Sequence, residues 1–406
     1  MQGRPRIVVT GIGAVTSLGV GVEPLWRALL AGECGIGPVE SFDTAKYAVH
    51  IGGEVKGFDP GPFLRRLRPA SMARASQLAI AASRLALDDA GLAPEAIDPA
   101  MAGVSLGTTS GEPAMIERFD DKEVAGQRGA IGPDFIEQYP CHVIAAHVAS
   151  ELRFAGPNLV IPTACAAGNY AIASAVDHLR TGAAEVMLAG GSDCFSRITY
   201  TGFARLGAIA PERCQPFDRN RKGMVPGEGA AVLVLERLER ATARGARIYA
   251  ELAGYGLTCD ANHMTAPQGD GAVRAMELGM ADAGVEPSEV SYISAHGTGT
   301  AVNDRIETAA VKRAFGDAAA HVPMSSIKSM LGHTMGAASA IEAAACALAV
   351  HYDALPPTIN YETPDPECDL DYVPNHARLQ PVQVAMNNAY AFGGNNASVI
   401  FRKCQP

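Results

Sequence analysis

Two segments of the chain repeat one pattern: residues 87–97 read LDDAGLAPEAI, and residues 280–290 read MADAGVEPSEV. Asp, Ala, Gly, Pro and a final branched residue recur in the same order and spacing. The glycine followed by proline predicts the end of a helix. Each copy follows a helical pattern and leads into a short strand and a Gly/Thr loop, at 104–109 and 292–298. The repeat therefore indicates two similar halves.

A weaker repeat relates residues 165–176 to residues 335–346, two alanine-rich helical patterns that each follow a turn. Two halves account for the 406-residue length better than three unrelated domains, although αβ units can also look alike by chance. Strands that alternate with helices predict the α/β class, with sheets covered by helices. The helix predicted at 337–350 has no polar face, so we expect it to be buried on most sides.

The composition is typical of a globular, acidic protein. Hydrophobic residues make up 48% of the chain, charged residues make up 19%, and the net charge is −10. An acidic chain without basic runs is a poor nucleic-acid binder. Two charge-free stretches, 154–176 and 379–401, are long enough to span a bilayer. Gly, Pro and Asn interrupt them, so we expect buried structure and no membrane partner.

The nine cysteines form no CxxC pair, which argues against a disulfide framework and a thiolate zinc site and fits a reducing, cytoplasmic location. Most should be small buried hydrophobic residues. Cys165 differs because a strand (158–161), a tight turn of small residues (162–168) and a helix (169–180) surround it in order. Free amides at a helix start stabilise a thiolate and lower its pKa. Cys165 is therefore the candidate nucleophile, and its own amide could bind an oxyanion.

Two of the ten histidines lie in glycine-rich loops. His296 opens the sequence HGTGT at 296–300, and His333 lies in SSIKSMLGHTMGAA at 325–338. Loops at strand ends are where α/β proteins place their chemistry. Each histidine alone could simply be satisfied by local hydrogen bonds. No HExxH or other metal-ligand spacing occurs, so we predict no metal site. A further glycine-rich turn, NNAYAFGGNN at 387–396, could present a backbone amide to an oxyanion.

Taken together, these segments resemble the beta-ketoacyl-[acyl carrier protein] synthases of the thiolase superfamily, of the type with a Cys-His-His triad. The resemblance extends from VVTGIG at 8–13 to the 387–396 turn. It implies a thiolase-like five-layer αβαβα sandwich made from two duplicated halves. We place these at 1–250, with the nucleophile, and at 251–406, with both histidines. It also implies an acyltransferase that condenses an acyl thioester with malonyl-[acyl carrier protein] by decarboxylation, in fatty acid or type II polyketide biosynthesis.

The resemblance assigns a role to each candidate residue. Cys165 would carry the acyl chain, and His296 and His333 would hold the malonyl thioester carbonyl. The amides of Cys165 and Phe392 would form the oxyanion hole, and Phe392 would also gate the acyl pocket. The remaining site residues are Lys328, which orients the histidine loop and pairs with Glu342; Asp304 and Glu307 behind the site; and Thr298, Thr300 and Gly393 at the substrate. Ala391 and Asn395 depart from the common family pattern beside the gate.

The resemblance also implies partners. The substrates would arrive on the phosphopantetheine arm of an acyl carrier protein, and no cofactor would be needed. Family carriers are acidic, as this chain is, so docking would need a local basic patch. We predict that patch at Arg65, Arg66 and Arg68, although an ordinary solvated helix face would look the same, and the resemblance places Arg205 at another docking position. Family members form dimers, either of identical chains or with a related chain-length subunit.

Two other functions remain open at this point. A non-catalytic chain-length subunit would shape the pocket of a partner, but such subunits lack the nucleophile that Cys165 provides here. A thiolase acting on coenzyme A esters typically uses a second cysteine near the C-terminal glycine-rich turn. That turn has no cysteine in this chain, and Cys404 lies too close to the end of the sequence to replace it.

Overall fold

The structure is a computed structural model that describes residues 4–127 and 132–405. One mixed sheet contains ten principal strands. They are β1 (Ile7–Thr16), β2 (Ala102–Gly107), β3 (Asn158–Ile161), β4 (Val186–Asp193), β5 (Gly229–Arg237), β6 (Ala250–Cys259), β7 (Tyr292–Ser294), β8 (Met324–Ser325), β9 (Val384–Tyr390) and β10 (Asn395–Arg402). Short strands at Gly19–Val20, Gly37–Pro38, Ile51–Gly52, Ala354–Leu355 and Arg378–Leu379 form small hairpins and edges.

The strand order repeats within the sheet. The path runs β8-β7-β9-β10-β6-β1-β5-β4-β2-β3, so each half contributes five strands in the same arrangement. In both halves the three outer strands are parallel to one another, and the remaining pairings are antiparallel. Antiparallel pairing of β1 with β6 joins the two sets. The chain therefore has the α/β class and the duplicated organisation that the sequence predicts.

Twelve α-helices surround these strands within the described residues. They are α1 (Val22–Ala31), α2 (Arg74–Asp89), α3 (Pro113–Val124), α4 (Pro133–Gln138), α5 (Val143–Leu152), α6 (Ala167–Thr181), α7 (Arg197–Arg205), α8 (Leu238–Ala243), α9 (Gly269–Ala283), α10 (Ala301–Phe315), α11 (Lys328–Leu331) and α12 (Ala338–Tyr352). Helices α6 and α12 pack on each other between the two strand sets. Helices α2 and α5 cover the first set from outside, and α9 and α10 cover the second. This arrangement gives the five layers of a thiolase-like fold.

The repeated segment at 87–97 and 280–290 has the same structure in both halves. Gly91 and Gly284 both have φ near +60°, and a 3₁₀ turn follows each of them. The Asp89 carboxylate accepts a hydrogen bond from the Ile12 amide of β1 (2.9 Å), and the Asp282 carboxylate accepts one from the Tyr255 amide of β6 (3.2 Å). Both strands have a register shift just before that amide. The repeat is therefore structural, because each aspartate satisfies an amide beside a bulge.

Helix α12 is the centre of the molecule. Thirteen of its fifteen residues are buried, which confirms the expectation from its missing polar face. The segment Met335–Tyr352 is long and apolar enough to cross a membrane, but 89% of it is buried inside the protein. It is therefore a core helix of the kind that packs between two sheets. All nine cysteines are free.

Candidate active site

The chain around Cys165 adopts the strand, turn and helix that the sequence predicts. Strand β3 ends at Ile161, a 3₁₀ turn covers Ala164–Ala166, and α6 begins at Ala167. Ala164 has φ 51°, a left-handed conformation that is strained for a residue other than glycine. A Cβ at Gly168 would lie 2.6 Å from the backbone nitrogen of Ala340, so glycine there lets α6 and α12 approach closely. The strained turn fixes Cys165 at the helix start.

The thiol of Cys165 is not activated at rest, contrary to the sequence-based expectation. Burial raises its pKa to about 11, because a thiolate loses its hydration in the interior. The Lys328 charge and two backbone amides, those of Cys165 and Phe392, act in the opposite direction but do not outweigh burial. Both amides therefore lie beside the sulfur, where they can also reach the oxygen of an acyl group bound to it, as an oxyanion hole requires.

Two buried imidazoles face the sulfur. The ligand atoms of Cys165, His296 and His333 all lie within 4.8 Å of one another, and the two rings meet edge to face with centroids 5.5 Å apart. Burial, followed by the Lys328 charge, holds the pKa of both histidines well below the ordinary value. Both rings are therefore neutral at physiological pH.

Hydrogen-bond partners assign the tautomer of each ring. Nδ1 of His333 accepts from the Met335 amide at 3.1 Å. Nδ1 of His296 lies 3.5 Å from Nζ of Lys328, which can only donate. In both rings Nε2 is left to carry the hydrogen. The site thus contains two neutral N–H donors that are ready to bind one oxygen.

The same assignment bears on metal binding. Cys165, His296 and His333 are close enough to hold an ion by distance alone. A ring nitrogen that carries a hydrogen has no free lone pair for a metal, and both Nδ1 atoms already have partners. The donor set therefore fits hydrogen bonding to a substrate better than it fits a zinc ion.

Lys328 and Glu342 form a buried ion pair behind His296. Lys328 Nζ donates to Glu342 Oε1, and both side chains are almost fully buried. Burial raises the pKa of Glu342 to about 7, although the ammonium beside it acts to lower it. The ion pair keeps a positive charge near both imidazoles and the thiol. The predicted pairing of these two residues is thus present in the structure.

Two carboxylates hold the His296 loop. Glu307 accepts hydrogen bonds from the amides of His296 and Gly297, both at 2.7 Å. Asp304 accepts from the amides of Phe217 (2.7 Å) and Gly299 (3.2 Å). Both carboxylates are fully buried, and burial raises the pKa of Glu307 to about 7. They lie behind the loop, as expected, and fix its backbone.

The site opens into a cavity of about 160 Å³. Cys165, both histidines, Thr298, Thr300 and Phe392 all line it. The threonine hydroxyls are 2.9 Å apart. Phe392 is 40% exposed, and the adjacent Gly393 has φ 84° and donates its amide to the Met264 carbonyl. Ala391 has an extended backbone that alanine adopts without strain, so replacing the common glycine costs nothing in this conformation.

Sequence reasoning missed Asp193, which connects the two halves at the site. It is fully buried, and its carboxylate accepts from the Thr109 amide (2.7 Å) and, across the halves, from the Gly336 amide (2.6 Å). It also accepts from the Thr108 hydroxyl and the Ser110 amide. Burial raises its pKa to about 6. Its position at the end of a strand, after two glycines, was the only available signal.

The predicted docking residues lie in two separate places. Arg205 ends α7, whose Phe203 lines the cavity. Arg65 and Arg66 instead share a surface cleft with the residues that precede β2. Because β2 and β3 are parallel, this cleft lies at the N-terminal ends of the strands, and the Cys165 turn lies at their C-terminal ends. Arg68 belongs to the same segment, which is a loop between two 3₁₀ turns rather than a helix. The amides of Arg65 and Arg66 donate to the buried Glu151 carboxylate.

Comparisons with known proteins match this geometry to a family. The Beta-ketoacyl synthase N-terminal domain matches residues 4–241, and the Beta-ketoacyl synthase C-terminal domain matches residues 249–362. A protein named 3-oxoacyl-[acyl-carrier-protein] synthase 2, from Synechocystis sp., is 42% identical over 99% of both chains. Nodulation protein E from a Rhizobium sp. is 42% identical over 98% of this chain and 99% of its own length.

Solved structures agree with these matches. The ishigamide ketosynthase/chain length factor superposes with a TM-score of 0.97 at 43% identity, over 99% of this chain and 100% of that one. A type II PKS ketosynthase in complex with its acyl-carrier protein superposes with a TM-score of 0.90 at 34% identity, again over 99% and 100% of the two chains.

Proposed function

The chain belongs to the beta-ketoacyl synthase family, and we propose that it condenses an acyl group carried on Cys165 with malonyl-[acyl carrier protein], in fatty acid or type II polyketide assembly. The convergence of one sulfur and two neutral imidazole N–H donors in a single cavity carries this proposal. It is an acyltransferase, and the reaction uses groups of this chain, the two thioester substrates and one proton from solvent.

The first step is acyl transfer to Cys165. The sulfur attacks the carbonyl carbon of the acyl thioester, the new S–C bond forms, and the carrier leaves as a free thiol with the proton that Cys165 loses. The oxygen becomes negative in the tetrahedral intermediate. The amides of Cys165 and Phe392 would stabilise that charge, and their position beside the sulfur supports this role. The same two amides and the Lys328 charge offset part of the cost of ionising a buried thiol.

The second step is decarboxylation of the malonyl thioester. Its carbonyl oxygen would accept hydrogen bonds from Nε2–H of His296 and of His333. The C–C bond to the carboxylate breaks, carbon dioxide leaves, and the electron pair forms an enolate whose charge lies on that oxygen. Neutral donors suit this step, because they bind the enolate without giving up a proton that would quench it. Burial, followed by the Lys328 charge, keeps both rings neutral by lowering their pKa values.

The third step forms the carbon–carbon bond. The enolate carbon attacks the acyl carbon on Cys165, a second oxyanion forms in the same amide hole, and the S–C bond breaks. Cys165 leaves as a thiolate and takes up a proton from solvent, because its original proton left with the first carrier. Sulfur suits both roles because a thiolate is a good nucleophile and a good leaving group. The product stays on the carrier as a beta-ketoacyl thioester.

Loading tests the assignment of Cys165. After incubation with a series of acyl-[acyl carrier proteins], intact mass spectrometry should show one acyl group per chain, located on Cys165 by peptide mapping. The preferred chain length in the series would also report the size of the acyl pocket. An acyl group on another cysteine, or no loading from any carrier, would refute this role.

The partners follow from the relatives. A ketosynthase/chain length factor and a ketosynthase bound to its acyl-carrier protein are among the similar structures. We infer that this chain also receives substrates from an acyl carrier protein and pairs with a ketosynthase-like subunit, either a second copy or a related chain.

Docking of the carrier can be tested by charge reversal. Arg205→Glu should raise the KM for acyl-[acyl carrier protein] several-fold, because Arg205 lies beside the cavity. Combined reversal of Arg65, Arg66 and Arg68 tests the second basic segment in the same assay. A KM that stays at the wild-type value in both variants would contradict the predicted docking surface.

A further inference from the structure

Arg221 lies beside one wall of the reaction cavity. It belongs to the loop between α7 and β5, and its side chain is only 5% exposed. Nε donates a hydrogen bond to the Thr300 carbonyl (3.3 Å), and Nη2 donates to the Ala301 carbonyl (3.2 Å). Nη1 donates to the Asp365 carboxylate (2.5 Å) and to the Asp218 carbonyl (2.8 Å). The proposed reaction uses none of these contacts.

The residues that Arg221 holds form the start of α10, which is a wall of the cavity. Thr300, Val302 and Asn303 all line the cavity. Val302 is 50% exposed, whereas His296, in the loop that leads into α10, is 3% exposed. This wall therefore extends from the buried His296 imidazole to the protein surface, and a substrate in the cavity lies against it.

Two carboxylates fix the guanidinium in place. Asp365 accepts the hydrogen bond from Nη1, and its other oxygen accepts from the Glu367 amide (3.0 Å). Asp304, which also holds the His296 loop, lies 3.7 Å from Nε. Burial acts to lower the pKa of Arg221, but the hydrogen bond to Asp365 and the charge of Asp304 raise it above the ordinary value. Arg221 is therefore charged throughout the physiological range.

The loop that carries Arg221 approaches the same wall at a second point. The Gly223 amide donates to the Gly299 carbonyl (3.0 Å). A Cβ at Gly299 would lie 2.8 Å from the Gly223 carbonyl oxygen, so the two backbones are in close contact. Met224, the next residue of the loop, lines the cavity itself. Arg221 therefore fixes the distance between two parts of the cavity lining, Met224 and the start of α10.

We propose that Arg221 is a positioning residue that sets the width of the cavity and thereby the affinity for carrier-bound substrates. This inference rests on the proposed function and adds to it a residue that does not itself line the cavity. Arg221 acts through the backbone that it holds. A wall that is fixed before binding does not have to be ordered by the substrate, so less binding free energy is lost.

The arrangement requires a guanidinium rather than an ammonium. Its planar fork presents donors in several fixed directions, and here they reach two carbonyls of the wall, a third carbonyl and a carboxylate. A lysine has one nitrogen on a flexible stem, so it can keep the ion pair with Asp365 but not both hydrogen bonds to the wall. Arg221→Lys therefore separates positioning from charge. It leaves no buried carboxylate without a cation, so the protein should still fold.

Arg221→Lys should raise the KM for malonyl-[acyl carrier protein] about tenfold, because a displaced wall no longer fits the substrate. The kcat for carbon dioxide release should stay near the wild-type value, because Glu307 still holds the amides of His296 and Gly297. This split identifies positioning, since a loss of folded protein would lower kcat and leave KM unchanged. Alkylation of Cys165 by iodoacetamide should keep the wild-type rate, which would show that the thiol is undisturbed.

Arg213→Lys is the matched control. Arg213 lies in the same loop and donates twice to the Glu362 carboxylate (2.6 and 2.9 Å), but this pair is exposed and does not line the cavity. The KM should stay at the wild-type value in this variant. A wild-type KM in Arg221→Lys, an equal rise in both variants, or a fall in kcat alone would overturn the inference. If the wild-type protein loads no acyl group and releases no carbon dioxide, the proposed function itself fails instead.

Discussion

The turns that begin α6 and α12 have the same backbone but carry different chemistry. Each contains a strained residue with positive φ, Ala164 at 51° and Met335 at 54°, then completes a 3₁₀ turn and starts a fifteen-residue helix. Cys165 occupies the middle of the first turn, and Gly336 occupies the middle of the second. The duplicated backbone thus supplies the same position twice, and only the first copy places a thiol there.

The second turn contributes differently. Its middle residue has no side chain, but its amide is held by Asp193 of the first half, and the Met335 amide fixes the tautomer of His333. In return, Ser339 on α12 accepts a hydrogen bond from the Asn169 amide on α6 (3.1 Å). Each helix start is therefore held by the other half. We infer that 1–250 and 251–406 are structural repeats that need each other to form the site.

Removing the sulfur tests the first turn and should have the largest effect. Cys165→Ala should abolish condensation, because no acyl group can be held, while malonyl decarboxylation continues at the two histidines. Product formation and carbon dioxide release measure the two steps separately. Cys346→Ala, which changes a buried cysteine in the middle of α12, is the control and should still condense. Chain extension by Cys165→Ala would contradict the role of the first turn in holding the acyl group.

Removing the imidazole beside the second turn should have the next largest effect. His333→Ala deletes one of two donors to the enolate oxygen, and loss of one such donor typically slows a reaction by about a hundredfold to a thousandfold. Carbon dioxide release should fall by that factor. Acyl loading of Cys165 should continue, as seen by intact mass. Normal decarboxylation in this variant would contradict the role of His333.

Loosening the contact between the halves should have a moderate effect. Asp193→Asn places an amide where the Gly336 and Thr109 amides donate, so at least one buried donor loses its acceptor. The free energy of unfolding should fall by about 2 kcal/mol. Decarboxylation should slow about tenfold because the His333 loop is less well held. Asp177→Asn changes an exposed contact with Tyr255 and should alter neither the free energy of unfolding nor the decarboxylation rate. If Asp193→Asn also left both quantities unchanged, Asp193 would not hold the two halves together at the site.

The smallest expected effect concerns the ionisation of the Cys165 thiol in the first turn. With a pKa of about 11, only a small fraction of Cys165 is thiolate near neutrality. Its alkylation by iodoacetamide should therefore accelerate about tenfold per pH unit between pH 7 and pH 9. Lys328→Met removes a charge that stabilises the thiolate and should slow alkylation several-fold at each pH, whereas Lys328→Arg should not. A rate that levels off below pH 8 would mean that the helix start outweighs burial.

Local sequence patterns predicted much of this molecule. The remaining features depend on burial in the folded chain and could not be predicted from the sequence. The repeated segments, strand 158–161 and the fully buried α12 follow from periodicity and stop signals, which are local. The weaker repeat is displaced by one residue, because Met335 corresponds to Ala164 rather than to Cys165. The raised thiol pKa and the hydrogen bonds of Asp193 to both halves depend on what surrounds a side chain after folding, and no spacing in the sequence encodes that.

The division of the site between the halves has a consequence for synthesis of the chain. Cys165 leaves the ribosome more than 200 residues before Phe392, a delay of roughly 10–45 s at typical elongation rates. Throughout that interval the sulfur lacks the C-terminal half that buries it, so it ionises more easily and reacts faster with oxidants than in the finished protein. Nascent chains, rather than mature enzyme, are therefore where oxidative damage to this cysteine should concentrate.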